Sequence, residues 1–427
     1  MRVIIVALLC VLTLLSVASR ADGASDSELR ELLVQQNFPP APPISDADRE
    51  YLRGVAKDTW TCIASLADEK TGLPYDNTDR GENTSVSNVG VYLTSVVAAR
   101  DLGFITGEEA ERRLSSTLAS VERLKTWHGF QQCWNSIKTL APADNDFAIS
   151  LLDTGNLVAA LMTVERGVPP LAPQCQKLLG AMEWKWFYDE QRGLLRGGFD
   201  TRKDAFAENW YLDALGTDAR LCQFIAIANG AAPPEMWQKL KRDVEEKHGV
   251  RYLWPGWQGG GLFMQYISGL WLDERDTLMR RSAENFAYAQ ILHAREIGSP
   301  VWGWSACASP ENEYLGWGKL TDDVVTPHAC VLAVERFRRE VVANLRTFES
   351  LGARKSGLGF VDSVNWRTKR VADKYLVLDQ SMLLISLANY LDDRSVRRWF
   401  QDHPLTRAGR QRITDLREPM FRPAASK

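Results

Sequence analysis

The sequence predicts a mostly α-helical protein, and two observations carry this prediction. Amphipathic helical patterns recur along nearly the whole chain after Ser45, whereas strand-like runs are few, short and rich in glycine. Apolar residues that repeat with the helical period of about 3.6 residues indicate helices packed on a common core. No linker or change in composition follows Ser45, so about a dozen helices of ordinary length would make residues 45–427 one domain.

The helical pattern is clearest in seven segments, which are 88–102, 106–124, 210–228, 234–246, 277–297, 325–345 and 380–391. Ser45 is the expected N-cap of an earlier helix, because a serine oxygen can accept a hydrogen bond from a backbone N–H of the first turn. The main strand-like runs are "GLLRGGFD" at 193–200 and "GLGFVDSVNW" at 357–366.

The first residues, "MRVIIVALLCVLTLLSVASRADGAS", have the pattern of an export signal. A single arginine precedes an apolar core at 3–17, and small residues follow at the possible cleavage points Ala18 and Ala21. The core is too short to span a membrane comfortably. We therefore expect residues 1–21 to be a signal peptide and 22–44 to be a short helix with a proline-rich tether. The mature chain would be periplasmic or secreted, without an integral membrane segment.

Composition and charge exclude several classes of function. The 427 residues carry a formal net charge of -3, which gives no basic footprint for nucleic acid or a membrane surface. Outside the signal segment there are six cysteines without Cys-x-x-Cys spacing, and the five histidines are scattered. We expect no metal site and no cofactor. Most of the cysteines should be buried thiols, with one disulfide left open.

The long connections are rich in glycine and tryptophan, as in "LWPGWQGGGLFMQY" and "SPVWGWSACASPENEYLGWG". A tryptophan in a core is simply packed, but a flat indole face exposed in a glycine-rich loop suits the apolar face of a sugar ring. The candidate stacking residues are Trp254, Trp257, Trp304 and Trp317. Several such loops at one end of a helical domain would form an aromatic-walled cleft.

Asp153 stands in "ISLLDTGNLVAAL" and has three possible roles. An aspartic-protease dyad is excluded, because it needs two Asp-Thr-Gly segments on a β scaffold and this chain has one segment among helices. A helix N-cap and an active-site carboxylate both remain open. The two roles are compatible, since helix N-termini that face a cleft direct N–H donors at ligands.

Several separated motifs resemble one superfamily of carbohydrate-active proteins. The run "TSVSNVGVYL", "LLDTGNLVAAL" and "TDARLCQFIAIANG" resemble the glycoamylase-like domain of cyclic β-1,2-glucan synthases. The segments "VWGWSACASPE", "GLGFVDSVNW" and "LDQSMLLISLANY" are similar to those of secreted endo-β-1,2-glucanases of glycoside hydrolase family 144. The resemblance covers residues 84–404. It implies an (α/α)6 toroid, six inner helices ringed by six outer ones, with a loop-built cleft at one end. It also implies β-1,2-glucan as the substrate.

Glycoside hydrolysis needs a proton donor and a second carboxylate. Asp218 in "GTDARL" matches a position where the relatives carry a catalytic glutamate, and the aspartate is a departure from that pattern. The structural alternative for Asp218 is an ion pair with Arg220 or a turn cap. Glu208 is the reserve acid. Asp153 matches the family's Asp-Ser/Thr position and is the preferred base-side or substrate-contacting carboxylate. Asp379 fits a helix cap slightly better than an active-site acid, and Asp362 is similarly ambiguous.

Substrate hydroxyl or ring-oxygen contacts are expected from Arg220, Gln258, Tyr314 and Gln380, with Asp362 beside them. Ala306 in "WGWSAC" replaces a glutamate of the synthase-type domain, which favours hydrolysis by an inverting route. We therefore expect a secreted hydrolase that cleaves β-1,2-glucan internally with inversion. It should be a monomer and bind no nucleic acid. The alternatives are a hydrolase of another exported glycan and a non-catalytic glucan-binding or envelope-assembly protein.

Overall fold

A computed structural model describes residues 26–34, 38, 41–144, 148–256, 260–315, 323–393 and 395–417. The expected signal peptide, 1–21, lies outside the described residues, as do Trp257, Gln258 and Trp317. Within the described part of the chain, no helix combines the length and apolar character needed to cross a membrane.

The described residues form sixteen α-helices: α1 (Asp26–Val34), α2 (Asp46–Ser65), α3 (Val86–Asp101), α4 (Gly107–Val121), α5 (Leu151–Gly167), α6 (Ala172–Gly180), α7 (Arg220–Ala228), α8 (Glu235–Gln238), α9 (Leu262–Tyr266), α10 (Leu278–Ile297), α11 (Pro327–Leu332), α12 (Arg338–Ser350), α13 (Val377–Leu391), α14 (Ser395–Asp402), α15 (Pro404–Arg412) and α16 (Thr414–Arg417). Ser45 caps α2 as expected, because its side chain accepts a hydrogen bond from the Asp48 backbone N–H.

Two kinds of helix alternate from α2 to α13. Helices α3, α5, α7, α11 and α13 are buried on almost every face. Helix α4 instead buries one stripe, with Ala110, Leu114 and Leu118 spaced four residues apart. A helix that is apolar all round belongs inside a domain, whereas an amphipathic helix covers it. The sequence thus specifies inner and outer helices.

The inner helices pack in chain order. Helix α3 contacts α5 and α13, α5 contacts α7, α9 contacts α11, and α11 contacts α13. Helices α7 and α9 are joined by a hydrogen bond from Arg220 Nη2 to the Gln265 carbonyl oxygen, at 2.5 Å. The outer helices α4, α6, α8, α10 and α12 each pack on the inner helix that precedes them, and α2 packs on α3 and α13. This helix-rich arrangement is consistent with an α/α toroid.

Glycine allows the closest approach between inner helices. A Cβ on Gly90 of α3 would lie 2.6 Å from the backbone of Asn156 in α5. Any larger residue would push the two helices apart, which explains the glycine in "TSVSNVGVYL".

The described strands are two to four residues long and pair antiparallel in sheets of two or three strands. They are β1 (Asn83–Ser85), β2 (Thr126–Trp127), β3 (Phe130–Gln131), β4 (Trp134–Ser136), β5 (Ala148–Ser150), β6 (Tyr188–Asp189), β7 (Leu194–Arg196), β8 (Gly198–Asp200), β9 (Ala205–Phe206), β10 (Tyr211–Leu212), β11 (Val244–Lys247), β12 (Val250–Leu253), β13 (Cys307–Ala308), β14 (Tyr314–Leu315), β15 (Val324–Val325), β16 (Arg354–Lys355), β17 (Gly359–Phe360), β18 (Val364–Asn365) and β19 (Arg370–Val371). Both predicted strand-like runs are confirmed, by β7 with β8 and by β17 with β18.

Three predicted helices are shorter than the sequence pattern suggested. In 210–228 the helix begins only at Arg220, because Tyr211 and Leu212 pair with β7 as strand β10. In 234–246 the helix ends at Gln238 and the chain enters β11. Segment 325–345 is two helices, α11 and α12, separated by turns. In each case the apolar residues fill the core without keeping one helical register.

All six cysteines in the described chain are buried thiols, and none forms a disulfide. The expectation for most of them is confirmed, and the open possibility of one bridge is not realised.

Candidate active site

The first turns of four inner helices are linked by polar side chains. Asp153 in the first turn of α5 interacts electrostatically with Asp218, which lies two residues before the start of α7. Asn156 Nδ2 of α5 donates a hydrogen bond to Ser87 Oγ of α3, at 2.7 Å. Asn88, the next residue of α3, donates to Asp76, whose charge acts on Asp379 in the first turn of α13. Asp153 and Asp218 therefore act on each other, and Asp379 is influenced by Asp76, near the starts of neighbouring inner helices.

Asp153 is not the N-cap of α5. That position belongs to Ser150, whose Oγ accepts a hydrogen bond from the Asp153 backbone N–H at 3.4 Å. Asp153 is the third residue of the helix, and its half-buried carboxylate lies in the positive field of the helix N-terminus. The capping interpretation of Asp153 was wrong because the preceding serine takes that role.

Asp218 lies beside Asp153 and keeps part of its side chain accessible. Burial, followed by the negative charge of Asp153, raises the pKa of the Asp218 carboxyl to about 6. Burial penalises the ionised form, and a like charge adds to that penalty. A carboxyl with this pKa is protonated in mildly acidic solution and can donate a proton there.

Arg220 is fully buried and serves the fold. Its guanidinium forms an ion pair with Glu274, with Nε 2.5 Å from Oε1, and donates to the carbonyl oxygens of Thr217 and Gln265. These bonds occupy four of its five N–H groups. The expected substrate contact of Arg220 therefore gives way to a structural role, and its charge also acts on Asp218, where it lowers the pKa of the carboxyl.

Asp379 and Asp362 form a second, more deeply buried carboxyl pair, 3% and 1% exposed. Burial raises both pKa values, that of Asp362 to about 7, and the Asp379 carboxyl hydrogen-bonds to Asp362. Asp362 Oδ2 also accepts from the Ala308 backbone N–H at 2.5 Å. Asp379 is the third residue of α13, and the N-cap is Leu376 without a side-chain bond, so the capping interpretation of Asp379 was also wrong.

His328 completes this second group. Its Nδ1 lies 2.6 Å from Thr326 Oγ1 and 3.5 Å from Asp379 Oδ2, and burial lowers its pKa to about 3, so it is neutral. Ligand-type atoms of His328, Asp362 and Asp379 lie within 4.8 Å of one another, a grouping that could hold a metal ion. No metal site was expected from the sequence, because its five histidines are scattered along the chain. Among the described residues, His328 Nε2 and Asp379 Oδ2 have no hydrogen-bond partner.

Tyr314 and Gln380 adjoin the second group differently. Tyr314 is 65% exposed, yet desolvation of its hydroxyl and the neighbouring carboxylate of Asp379 raise its pKa. Tyr314 is thus an exposed residue whose hydroxyl lies within the electrostatic influence of Asp379. Gln380 is buried, and its Nε2 donates to the Phe360 carbonyl oxygen at 3.1 Å.

Two of the four predicted tryptophan platforms, Trp254 and Trp304, belong to the described residues. Trp304 is fully buried, with its ring edge-on to His293 at 5.3 Å, so it cannot serve as an open platform. Trp254 is half-buried. Glu208, the reserve acid, is exposed.

Sequence reasoning overlooked Asp76 and His328. Asp76 Oδ1 accepts from Asn88 Nδ2 at 2.8 Å, and its charge raises the pKa of both Asp362 and Asp379. Asn88 belongs to the quoted "TSVSNVG" motif and could have suggested a polar partner. Nothing in "PYDNTDR" distinguishes Asp76 from a turn residue.

Two family models match successive parts of the chain. Residues 213–404 match the model described as "Putative glucoamylase", and residues 54–209 match the model described as "Protein of unknown function (DUF3131)". The chain is 23% identical over 86% of its length to the cyclic β-(1,2)-glucan synthase NdvB of Rhizobium meliloti, and it spans 18% of that protein's length.

Solved structures share the fold at low sequence identity. A "putative glucoamylase" from Bacteroides caccae superposes with a TM-score of 0.78 at 17% identity, over 86% of this chain and 98% of that chain. An endo-β-1,2-glucanase from Chitinophaga pinensis has a TM-score of 0.77 at 17% identity, over 87% and 98%. An endo-β-1,2-glucanase from Talaromyces funiculosus has a TM-score of 0.67 at 12% identity, over 92% of both chains. Residues 213–404 thus match a glucoamylase family model, and the chain is similar in fold to endo-β-1,2-glucanases and to proteins described as putative glucoamylases.

Proposed function

We propose that this protein is a glycoside hydrolase that acts on β-1,2-glucan. The observation that carries the proposal is the pair of carboxylates at the ends of two inner helices, with the pKa of Asp218 raised to about 6 beside Asp153. Glycosidases use two carboxyl groups held in different protonation states. The similarity in fold to endo-β-1,2-glucanases supports the choice of substrate.

In this mechanism Asp218 is the general acid. Its protonated carboxyl would donate to the glycosidic oxygen as the bond to the anomeric carbon breaks, which removes the cost of expelling an alkoxide. Asp153 would be the second carboxylate and, in an inverting reaction, would accept a proton from the attacking water. That route requires the two carboxyl groups to stand about 6.5–9.5 Å apart, with the water between them and the sugar.

The second carboxyl pair, Asp362 and Asp379, is a weaker candidate for the general acid. Burial raises the pKa of Asp379 as well, but both Asp379 and Asp362 are almost completely covered, whereas Asp218 is partly accessible. Glu208 has no pairing with another acid that the described contacts show, and it stays a reserve. Within the proposal, the Asp379 group binds and orients sugar hydroxyls through Tyr314.

The proposal also covers the shape of the cleft, the mode of cleavage and the location of the enzyme. The six inner helices would close into an (α/α)6 toroid, and the loops at their N-terminal ends would form the cleft. A cleft open along its length would admit the interior of a glucan chain, giving endo-action. The export signal expected at 1–21 would place the enzyme in the periplasm or outside the cell.

The test is a substrate panel with the purified protein. Linear β-1,2-glucan should yield new reducing ends and short oligosaccharides, while β-1,3- and β-1,4-glucans of equal concentration should not. Cleavage of another glycan alone would replace the substrate. Binding of β-1,2-glucan without any new reducing ends would make the protein a glucan binder.

A further inference from the structure

Trp210 is the one tryptophan with an exposed side chain among the described residues, at 37%. Its indole lies flat on two consecutive glycines. A Cβ on Gly197 would be 2.4 Å from Trp210 Cε2 and Nε1, and a Cβ on Gly198 would be 2.4 Å from Cζ3. These atoms span both rings, so one whole face of the indole is covered by backbone. The remaining exposure is therefore at the opposite face and the edges.

Backbone hydrogen bonds fix this indole to the helix that carries Asp153. The Gly197 N–H donates to the Trp210 carbonyl oxygen at 2.8 Å, and the Leu151 N–H donates to the Gly197 carbonyl oxygen at 2.9 Å. Leu151 is the first residue of α5, two positions before Asp153. The next residue, Gly198 of β8, pairs with Ser150 of β5, which is the N-cap of α5. The open indole face is thus held beside the first turn that presents Asp153.

The turn before the indole is also built for this placement. Asn209 has φ of 55°, a left-handed conformation that asparagine tolerates better than most residues. It lets the chain leave β9 and return as β10 with Trp210 folded back over the glycines. Single exposed tryptophans are unremarkable on protein surfaces, but a ring seated on two glycines that exclude any side chain is a specific arrangement.

We propose that Trp210 is a stacking platform for one glucosyl unit of a glucan chain, at a subsite adjoining Asp153 and Asp218. The flat indole face matches the apolar face of a pyranose ring. The inference rests on the proposed function and assigns its substrate a binding position. Trp210 would contribute to affinity along the chain and would take no part in proton transfer.

The experiment compares Trp210→Ala, Trp210→Phe and Trp399→Phe. Trp399 is the matched control, because it also packs on a glycine, Gly167, but at the C-terminal end of α5. The readouts are kcat and KM on linear β-1,2-glucan, the thermal midpoint, and the affinity of Asp218→Asn for β-1,2-linked oligosaccharides with and without Trp210→Ala. Loss of a stacked aromatic contact should raise KM and weaken oligosaccharide binding about five- to tenfold, with kcat nearly unchanged.

Trp210→Phe should retain most of the affinity, and Trp399→Phe all of it. If the wild type cleaves β-1,2-glucan and Trp210→Ala has an unchanged KM, the stacking platform is overturned while the proposed function stands. A wild type that neither binds nor cleaves β-1,2-glucan would overturn the proposed function and the platform with it. Equal losses for Trp210→Ala and Trp399→Phe, with lowered thermal midpoints, would reduce Trp210 to a structural residue.

Discussion

Asp153 and Asp218 are 65 residues apart in sequence, yet they come together at the N-terminal ends of α5 and α7. Burial first, and then the charge of Asp153, raises the pKa of Asp218 to about 6. The relationship gives one carboxyl a proton under conditions in which an ordinary aspartate has lost it. That difference between two neighbouring acids is what a glycosidase needs.

The pH dependence of activity should follow the Asp218 proton. Because its pKa is raised in the folded protein, the acid form persists up to about pH 6, and kcat/KM should fall as the pH rises through that value. The measurement is a pH–rate profile on β-1,2-glucan, with an NMR titration of the Asp218 carboxyl in wild type and in Asp153→Asn. Removing the negative charge of Asp153 should lower the Asp218 pKa. An unchanged titration in the variant would show that the two groups do not interact.

We expect the close contact between Gly155 of α5 and Cys222 of α7 to be necessary for the stability of the fold. A Cβ on Gly155 would lie 2.4 Å from Cys222 Sγ, and that sulfur donates to the Leu151 carbonyl oxygen at 2.9 Å. Gly155→Ala should therefore cost about 1–3 kcal/mol of unfolding free energy, measured by urea denaturation. Cys222→Ala removes the opposing sulfur, so the double variant should recover part of that loss. Simple additivity of the two single effects would contradict this contact.

The ion pair of Arg220 with Glu274 should matter for stability. Glu274→Gln leaves the buried guanidinium without its counter-charge, at an expected cost of about 3–5 kcal/mol in the free energy of unfolding. Activity per folded molecule should stay within a few fold of wild type. Asp273→Asn disrupts the more exposed pair with Arg275 and is the matched control, with a smaller expected cost. A large loss of turnover in a stable Glu274→Gln protein would instead place Arg220 in substrate binding.

The buried pair Asp362 and Asp379 should make stability depend on pH. Both pKa values are raised in the folded state, so their stabilising effect is complete below the ordinary aspartate pKa of about 4 and declines as the pH rises above it. For Asp362 the effect is lost as the pH rises through about 7. Asp379→Asn keeps a hydrogen-bond donor toward Asp362 and removes one titration. Its unfolding free energy should therefore decline less between pH 5 and pH 8 than that of wild type. Parallel curves for the two proteins would show that Asp379 is already ionised in the folded protein across this range.

The sequence predicted the helical core well because burial has a period. The all-buried inner helices and the striped outer helices follow directly from where the apolar residues stand, and Ser45 caps α2 as its position indicates. The errors fell in 210–228, 234–246 and 325–345, where apolar residues serve turns and short strands as well as helices. Periodicity cannot separate these cases when the segments are short.

The site was only partly predictable for a different reason. Asp153 and Asp218 stand in recognisable motifs, but their interaction depends on α5 and α7 being neighbours in space. Arg220 looked like a ligand contact until Glu274, 54 residues away, was found against it. The grouping of Asp76 and His328 with Asp379 arises entirely from tertiary packing, which no local pattern records.

The most direct measurement is turnover of linear β-1,2-glucan by Asp218→Asn beside Asp213→Asn. Asp213 is a matched aspartate five residues earlier, held by Lys241 at 2.7 Å and not joined to Asp153 in the described contacts. Loss of a general acid should reduce kcat about a hundred- to ten-thousandfold in Asp218→Asn, or roughly 3–5 kcal/mol of transition-state stabilisation, with KM little changed. Asp213→Asn should stay near wild type. Full activity of Asp218→Asn on β-1,2-glucan would contradict the assignment of Asp218 as the proton donor.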